Sequence, residues 1–300
     1  MIWAAMAGWL ACMWPRARPS SWRSSSPRTT VPHSHTMVCP IGVVSHVVPE
    51  PIPTRIQLCG PLVVRIRGID VTGELPGAQG RLLCAYLVAN RSRPVTRAEL
   101  TDVLWVEAPP SQAATALRAL LSKLRRALAV GESVALAPGD LLQLALPEDA
   151  WVDTEAATQA LHDAQSAVAQ GEDVRAWIAS HIALNVASRI FLAGLDGDWV
   201  SEQRAVLEEI RLRALEALSV CALRLGGPEG DTAVRAATEL TRLAPYRESG
   251  YVGLMEALAA QGNASEALLV FERLRVRLRE DLGSVPGPEI QALHTRLLGS

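Results

Sequence analysis

Thr115, Arg118, Ser122, Arg125 and Arg126 recur at the spacing of one helix wall, continuing from Ser111 and with Lys123 on the flank. Arginine offers a planar fork that fits phosphate or the edge of guanine, and serine and threonine hydroxyls donate to phosphate without bulk. The chemistry of this set suits recognition of a polyanion by a helix laid in a groove. A solvated basic face would have the same composition, so the reading depends on the elements around it. Covalent chemistry finds little support. The six histidines, at 33, 35, 46, 162, 181 and 294, form no H-E-x-x-H, and there is no G-x-S-x-G or G-x-G-x-x-G. Lys123 is the only lysine, so no phosphate-binding G-x-x-x-x-G-K-[ST] loop exists. No enzyme, cofactor or metal is expected, and the histidines in predicted helices, 162, 181 and 294, are read as packed or solvated.

The helix carrying these residues is predicted from Ser111 to Ala129. Leu117, Leu120, Leu121, Leu124 and Leu128 fall on one stripe of it and must face a core. Before it, Thr96 to Glu99 reads T-x-x-E, a capping box that starts a shorter helix, and Leu100, Val103 and Leu104 give that helix an apolar face. Trp105 closes it. Pro109-Pro110 stops the chain from continuing straight, and Ser111 caps the next helix in a new direction. This is a helix-turn-helix.

The flanks extend it. Ile56 and Leu58, then Leu62, Val64 and Ile66, alternate with other residues; Gly60-Pro61 and Gly68 to Asp70 punctuate them, and Val71 begins a third extended piece. A small antiparallel sheet is expected. Gly77 to Asn90 supplies a third helix, with Leu82, Leu83, Tyr86 and Leu87 at helical spacing. Ser133 to Ala137 and Leu141 to Leu146, separated by Pro138-Gly139-Asp140, read as a hairpin. The order is that of a winged helix with an added N-terminal sheet.

Residues 1–53 are different: an apolar run from Ile2 to Trp14, then a Ser-, Pro- and Arg-rich tract without periodicity, expected to be disordered. The run is too short to span a bilayer, and its positive charges follow it, which argues against a secretory signal. Met37 is a candidate for the true translation start. Beyond residue 147 helical periodicity takes over, through 154–170, 174–186, 199–225, 232–243, 248–260 and 265–282, with breaks at Gly171, Gly194, Gly226 to Pro228, Pro245 and Gly262-Asn263. A shift of 34 residues superposes Ala233 on Ala267, Ala236 on Val270 and Leu240 on Leu274, the tetratricopeptide period.

Charge divides with the elements. Residues 54–146 hold 11 Lys and Arg against 7 Asp and Glu, a balance of +4, whereas residues 147–300 hold 14 against 23, a balance of −9. Five scattered cysteines without a C-x-x-C pairing imply a reduced, cytosolic chain.

The stretch from about Arg55 to Leu298 resembles the Streptomyces antibiotic regulatory protein family: activators with an OmpR-type winged helix followed by a bacterial transcriptional activation domain. The resemblance is carried by GPLVVR at 60–65, NRSRPVTRAELTDVLW at 90–105, APPSQAATALRALLSKLRRAL at 108–128 and VPGPEIQALHTRLL at 285–298. It implies a mainly α fold with a small β component. The DNA-binding winged helix would occupy 54–147, with Thr115, Arg118, Ser122, Lys123, Arg125 and Arg126 as its DNA contacts, and an all-α tetratricopeptide-like activation domain 148–300. The implied partners are double-stranded promoter DNA, bound as a homodimer at repeated sites, and RNA polymerase with its sigma factor. The implied location is cytoplasmic, on the nucleoid and away from membranes, and the implied targets are genes of secondary metabolite biosynthesis. One departure stands out: such wings usually carry a Gly-Tyr pair, and here the place reads Gly139-Asp140-Leu141-Leu142, so an acidic tip is expected to repel phosphate. The alternative reading is an interaction scaffold whose winged helix has lost DNA binding, motivated by that aspartate and the modest charge. Glu248, Glu256, Glu266 and Glu272 are candidates for a partner-facing acidic surface.

Overall fold

The computed structural model describes residues 52–105, 112–130, 134–137 and 139–299. The expectations for residues 1–51, the Pro109-Pro110 break, the Ser111 cap and Ser133 and Pro138 of the hairpin lie outside them.

Strands β1 (Arg55–Gln57) and β2 (Val63–Ile66) form because Ile56, Val64 and Ile66 alternate inward while their neighbours stay out. They pair antiparallel, Ile56 opposite Val64, and β2 pairs antiparallel with β3 (Ile69–Asp70). The third strand is therefore Ile69–Asp70 and not a piece starting at Val71, which is buried and enters a 3-10 turn at Thr72–Glu74. Asp70 accepts from the Thr72 N–H at 3.0 Å, a local bond that favours turning over extension.

Helix α1 (Gly77–Ala89) follows, buried along Leu82 to Val88. Strand β4 (Val95–Thr96) leads into α2 (Arg97–Leu104) through the expected capping box: Thr96 Oγ1 accepts from the Glu99 N–H at 3.2 Å, and the Glu99 carboxylate accepts from the Thr96 N–H at 3.3 Å. Helix α3 (Ala113–Leu128) has Gln112 at its N-cap, with no side-chain cap bond, and so begins two residues later than predicted. Leu117, Leu121, Leu124 and Leu128 are buried, and Leu120 lies partly buried against the same core.

The hairpin is more divided than its sequence suggests. Strand β5 (Ala135–Leu136) pairs with β7 (Leu144–Ala145), whereas β6 (Leu141–Leu142), between them, pairs with β4 ahead of α2. Leu142 and Leu144 are buried, so the returning strand is pinned on both sides. Three helices, this hairpin and the N-terminal sheet make a winged helix.

The sheet is mixed, not antiparallel. Strand β8 (Trp151–Val152) adds parallel to β1, giving the order β3-β2-β1-β8. From there the chain is helical: α4 (Asp153–Gln170), α5 (Asp173–Ala187), α6 (Asp198–Leu225), α7 (Gly230–Leu243), α8 (Glu248–Ala260), α9 (Ala264–Leu282) and α10 (Pro288–Leu298). The first six match the predicted stretches to within two residues, and α10 is the helix expected around His294, with bounds that the periodicity did not supply. Gly171 takes a left-handed φ of 72° as the C-cap of α4, the conformation that ends a helix most cheaply at glycine. Each helix packs on the next. Ala233, Ala236, Leu240, Ala267, Val270 and Leu274, the residues superposed by the 34-residue shift, are all buried. Small residues at matched positions let successive helix pairs stack closely, as tetratricopeptide-like repeats do.

Candidate nucleic-acid interface

Burial fixes the rotation of α3. Leu117, Leu121 and Leu124 are at most 1% exposed, and each buried leucine contributes about 2 kcal/mol. No exposed ion pair competes with that. The opposite wall is thereby turned outward, and Thr115, Arg118, Ser122, Lys123 and Arg126 are all exposed. Arg125 is the departure from the set. It is half-buried, and its Nη2 donates to the Ala137 carbonyl of the hairpin at 3.2 Å, so its place is between helix and wing.

The electrostatics separate α3 from the rest of this region. Arg65 pairs with Asp70, Arg67 with Asp149, Arg91 with Glu155, Arg93 with Glu99 and Arg97 with Asp140. Arg118, Lys123 and Arg126 have no carboxylate partner among the described residues, and on the other helices of this region only Arg81 of α1 shares that condition. The +4 balance is thus concentrated as bare cations on one helix wall.

Two clefts flank that wall. One runs between the start of α2, the start of α3 and the hairpin turn, lined by Arg97, Thr101, Ala113, Ala114, Arg118 and Asp140. Lys123 and Arg126 border the other, facing Glu74 and Pro76. At the turn Gly139 has φ 110°, a backbone that only glycine adopts without strain. Arg97 holds the turn from outside: its Nη2 donates to the Gly139 carbonyl at 2.9 Å, and its Nε to Asp140 at 3.2 Å. The acidic tip, expected to repel phosphate, is therefore ion-paired. Arg97 itself, an interior position of the capping box, is a residue that the motif does not point to.

A second missed residue is Asp153, at the start of α4 and 1% exposed. Its carboxylate accepts from the backbone N–H groups of Leu58, Cys59 and Thr154 at 2.8–2.9 Å, tying the N-terminal sheet to the helical half. Burial pushes its carboxyl above the ordinary range, and the three N–H donors pull it back. Arg93 and the Thr96 N–H hold the Glu99 carboxyl below its ordinary range.

A family model described as "Bacterial transcriptional activator domain" matches residues 152–298. The regulatory protein AfsR of Streptomyces griseus is 32% identical over 276 residues, 92% of this chain but 27% of that protein's own length. The regulatory protein DnrI of Streptomyces peucetius is 29% identical over 264 residues, covering 81% of this chain and 92% of DnrI. The chain belongs to the Streptomyces antibiotic regulatory protein family. Among solved structures, Mycobacterium tuberculosis EmbR in complex with a low-affinity phosphopeptide superposes with a TM-score of 0.72 at 28% identity, covering 82% of this chain and 65% of that one. These family relatives are named as regulatory or transcriptional regulatory proteins, with no enzyme among those cited.

In the helical half, three of the four acidic candidates are engaged within the chain. Glu248 accepts from the Gly287 N–H at the start of α10, Glu256 pairs with Arg296 and Glu272 with Arg275; Glu266 has no partner among the described residues. His181 Nδ1 lies 2.9 Å from the Trp177 carbonyl oxygen, and His294 stacks on Phe271 at 4.0 Å, so both are packed; His162 is exposed. Cys59, Cys84 and Cys221 are buried free thiols, and burial pushes Cys84 up to about 12 and Cys221 up to about 11, which leaves them unreactive. Among the described residues no helix is long and apolar enough to cross a membrane.

Proposed function

We propose that this chain is a sequence-specific DNA-binding transcriptional activator of secondary metabolite genes, binding promoter repeats as a homodimer and recruiting RNA polymerase with its sigma factor. Residues 54–147 form the DNA-reading part and residues 148–300 the activating part, with β8 of the second completing the sheet of the first. Helix α3 enters the major groove, and the hairpin lies beside the adjacent minor groove. The observation that carries this reading is the bare, outward wall of α3, where Arg118, Lys123 and Arg126 lack carboxylates while most arginines around them are paired.

Thr115, Arg118 and Ser122 face the groove from the exposed wall of α3, with Arg118 lining the cleft beside the hairpin turn. Lys123 and Arg126, beside Glu74 and Pro76, suit the phosphates at its edge. Arg125 acts on DNA through the wing that it holds. A gel-shift assay with the DNA upstream of the chain's own gene, at two salt concentrations, tests the proposal. Wild type should bind specifically, and the Arg118→Ala, Lys123→Ala, Arg126→Ala triple variant should lose that binding. Unchanged binding by the triple variant removes α3 as the reading element. Absence of specific binding by wild type favours the scaffold reading, in which the helical stack alone is functional.

A further inference from the structure

Asp140, at the hairpin turn, has a side chain 99% accessible, and among the described residues Arg97 alone meets it. Arg97 is the first residue of α2 and shares a cleft with Arg118, so it stands where a phosphate flanking the recognition helix would pass. We propose that Asp140 is a charge brake on DNA binding: it occupies Arg97 and holds the wing's contribution to phosphate attraction near zero. This rests on the DNA-binding reading above and adds to it a residue that sets the balance between specific and indiscriminate binding.

Three observations carry it. First, Arg97 is anchored twice at the turn, through Asp140 and through the Gly139 carbonyl, so it has a fixed position there and not the freedom of a surface arginine. Second, its ion pair is open to solvent and hence weak, so a phosphate could draw Arg97 away only by leaving Asp140 bare beside a polyanion. Whichever partner Arg97 takes, the two side chains sum to zero and release no net counterion. Third, the contrast with α3 is sharp: Arg118 lines the same cleft with no carboxylate partner. The resulting division gives binding to the helix that reads bases and withholds it from the turn, which would grip any duplex alike.

The test is titration of the full chain onto a short duplex of arbitrary sequence, by fluorescence anisotropy over a series of salt concentrations. Wild type, Asp140→Asn, Arg97→Ala and the double variant are compared, with melting curves to confirm folding. Asp140→Asn should bind tighter, and its log–log salt slope should steepen by about 0.9, one added phosphate contact. Arg97→Ala leaves Asp140 bare beside the polyanion, so it should weaken binding and, by the same charge sum, make the slope shallower than wild type. The double variant, with neither charge, should return to the wild-type slope. An unchanged slope for Asp140→Asn, or a double variant whose slope stays as shallow as that of Arg97→Ala, overturns the brake while DNA binding stands. No salt-dependent binding by any of the four proteins overturns the DNA-binding reading itself, and the brake with it.

Discussion

Asp153 joins the N-terminal sheet to the helical half through one buried carboxylate. Its two oxygens collect the N–H groups of Leu58 and Cys59 from the loop after β1 and that of Thr154 in its own helix. It stands in the first turn of α4, where the helix dipole favours a negative charge. Replacing Asp153 by Ala strands buried backbone donors, each costing roughly 1–3 kcal/mol, and should destabilise the chain by about 3 kcal/mol in urea titrations. The pH dependence has a definite sign. Because burial raises the folded-state pKa above the unfolded one, the folded chain binds this proton more tightly, and protonation at this group favours folding. Its contribution is greatest below the ordinary carboxylate range, declines as pH rises through the raised value, and is level above it. The stability gap between wild type and Asp153→Asn should therefore narrow as pH rises through that window; a gap constant with pH would show that the N–H donors fully offset burial. Nothing local marks Asp153 in the sequence. Its partners lie 94 and 95 residues away, and W-V-D-T reads only as the approach to a helix.

Elements were legible where their cause is local, and illegible where it is not. The six long helices follow from apolar spacing every three or four residues, and the Thr96–Glu99 box from two side chains three residues apart. Strand β8 has two residues and forms only because β1, 96 residues earlier, offers a free edge, so no periodicity could announce it. The wing is intermediate: its turn was readable, but the pairing of β6 with β4 depends on the placement of α2. The same distinction separates two arginines on α3. Arg118 faces out with no partner among the described residues, whereas Arg125 bridges to Ala137. Arg125→Ala should cost about 1 kcal/mol of stability, the net worth of one hydrogen bond, and should speed amide exchange at the hairpin. It should weaken DNA binding with the salt slope nearly unchanged. Arg118→Ala should leave stability within about 0.5 kcal/mol, as for an exposed residue, while changing base preference or lowering the slope by about one unit. Equal effects of the two on slope and on exchange would erase the distinction.

At the scale of the whole molecule, the winged helix and the first three helices of the stack, α4 to α6, are built around one apolar cluster, while α8 to α10 close on a cluster of their own. The first runs from Ile56, Leu83 and Leu124 to Ala157, Val186, Phe191, Val200 and Leu207. Main-chain bonds stitch the same seam: Gly60 N–H donates to the Ile190 carbonyl at 2.8 Å, and Leu192 N–H to the Leu58 carbonyl at 2.9 Å. Trp199 of α6 meets Tyr86 of α1 edge to face at 4.9 Å, and Arg91 forms a two-point ion pair with Glu155. A flexible tether would show few buried contacts across the join and a polar linker between two separate cores. Here the linker residues 151–153 are themselves strand and clamp. The position of any surface of the helical stack relative to α3 is thereby set by the fold, a geometry suited to holding a second protein at a fixed offset from a DNA site. Two measurements follow. In urea, tryptophan fluorescence and far-ultraviolet circular dichroism of the full chain should report coincident transitions, since shared cores unfold together. The fragment 54–147, which lacks β8, Asp153, Phe191 and Trp199, should show no cooperative transition. A fragment that unfolds cooperatively with the stability of the full chain, or two separated transitions in the full chain, would instead mean that the seam contributes little and that the two parts move independently.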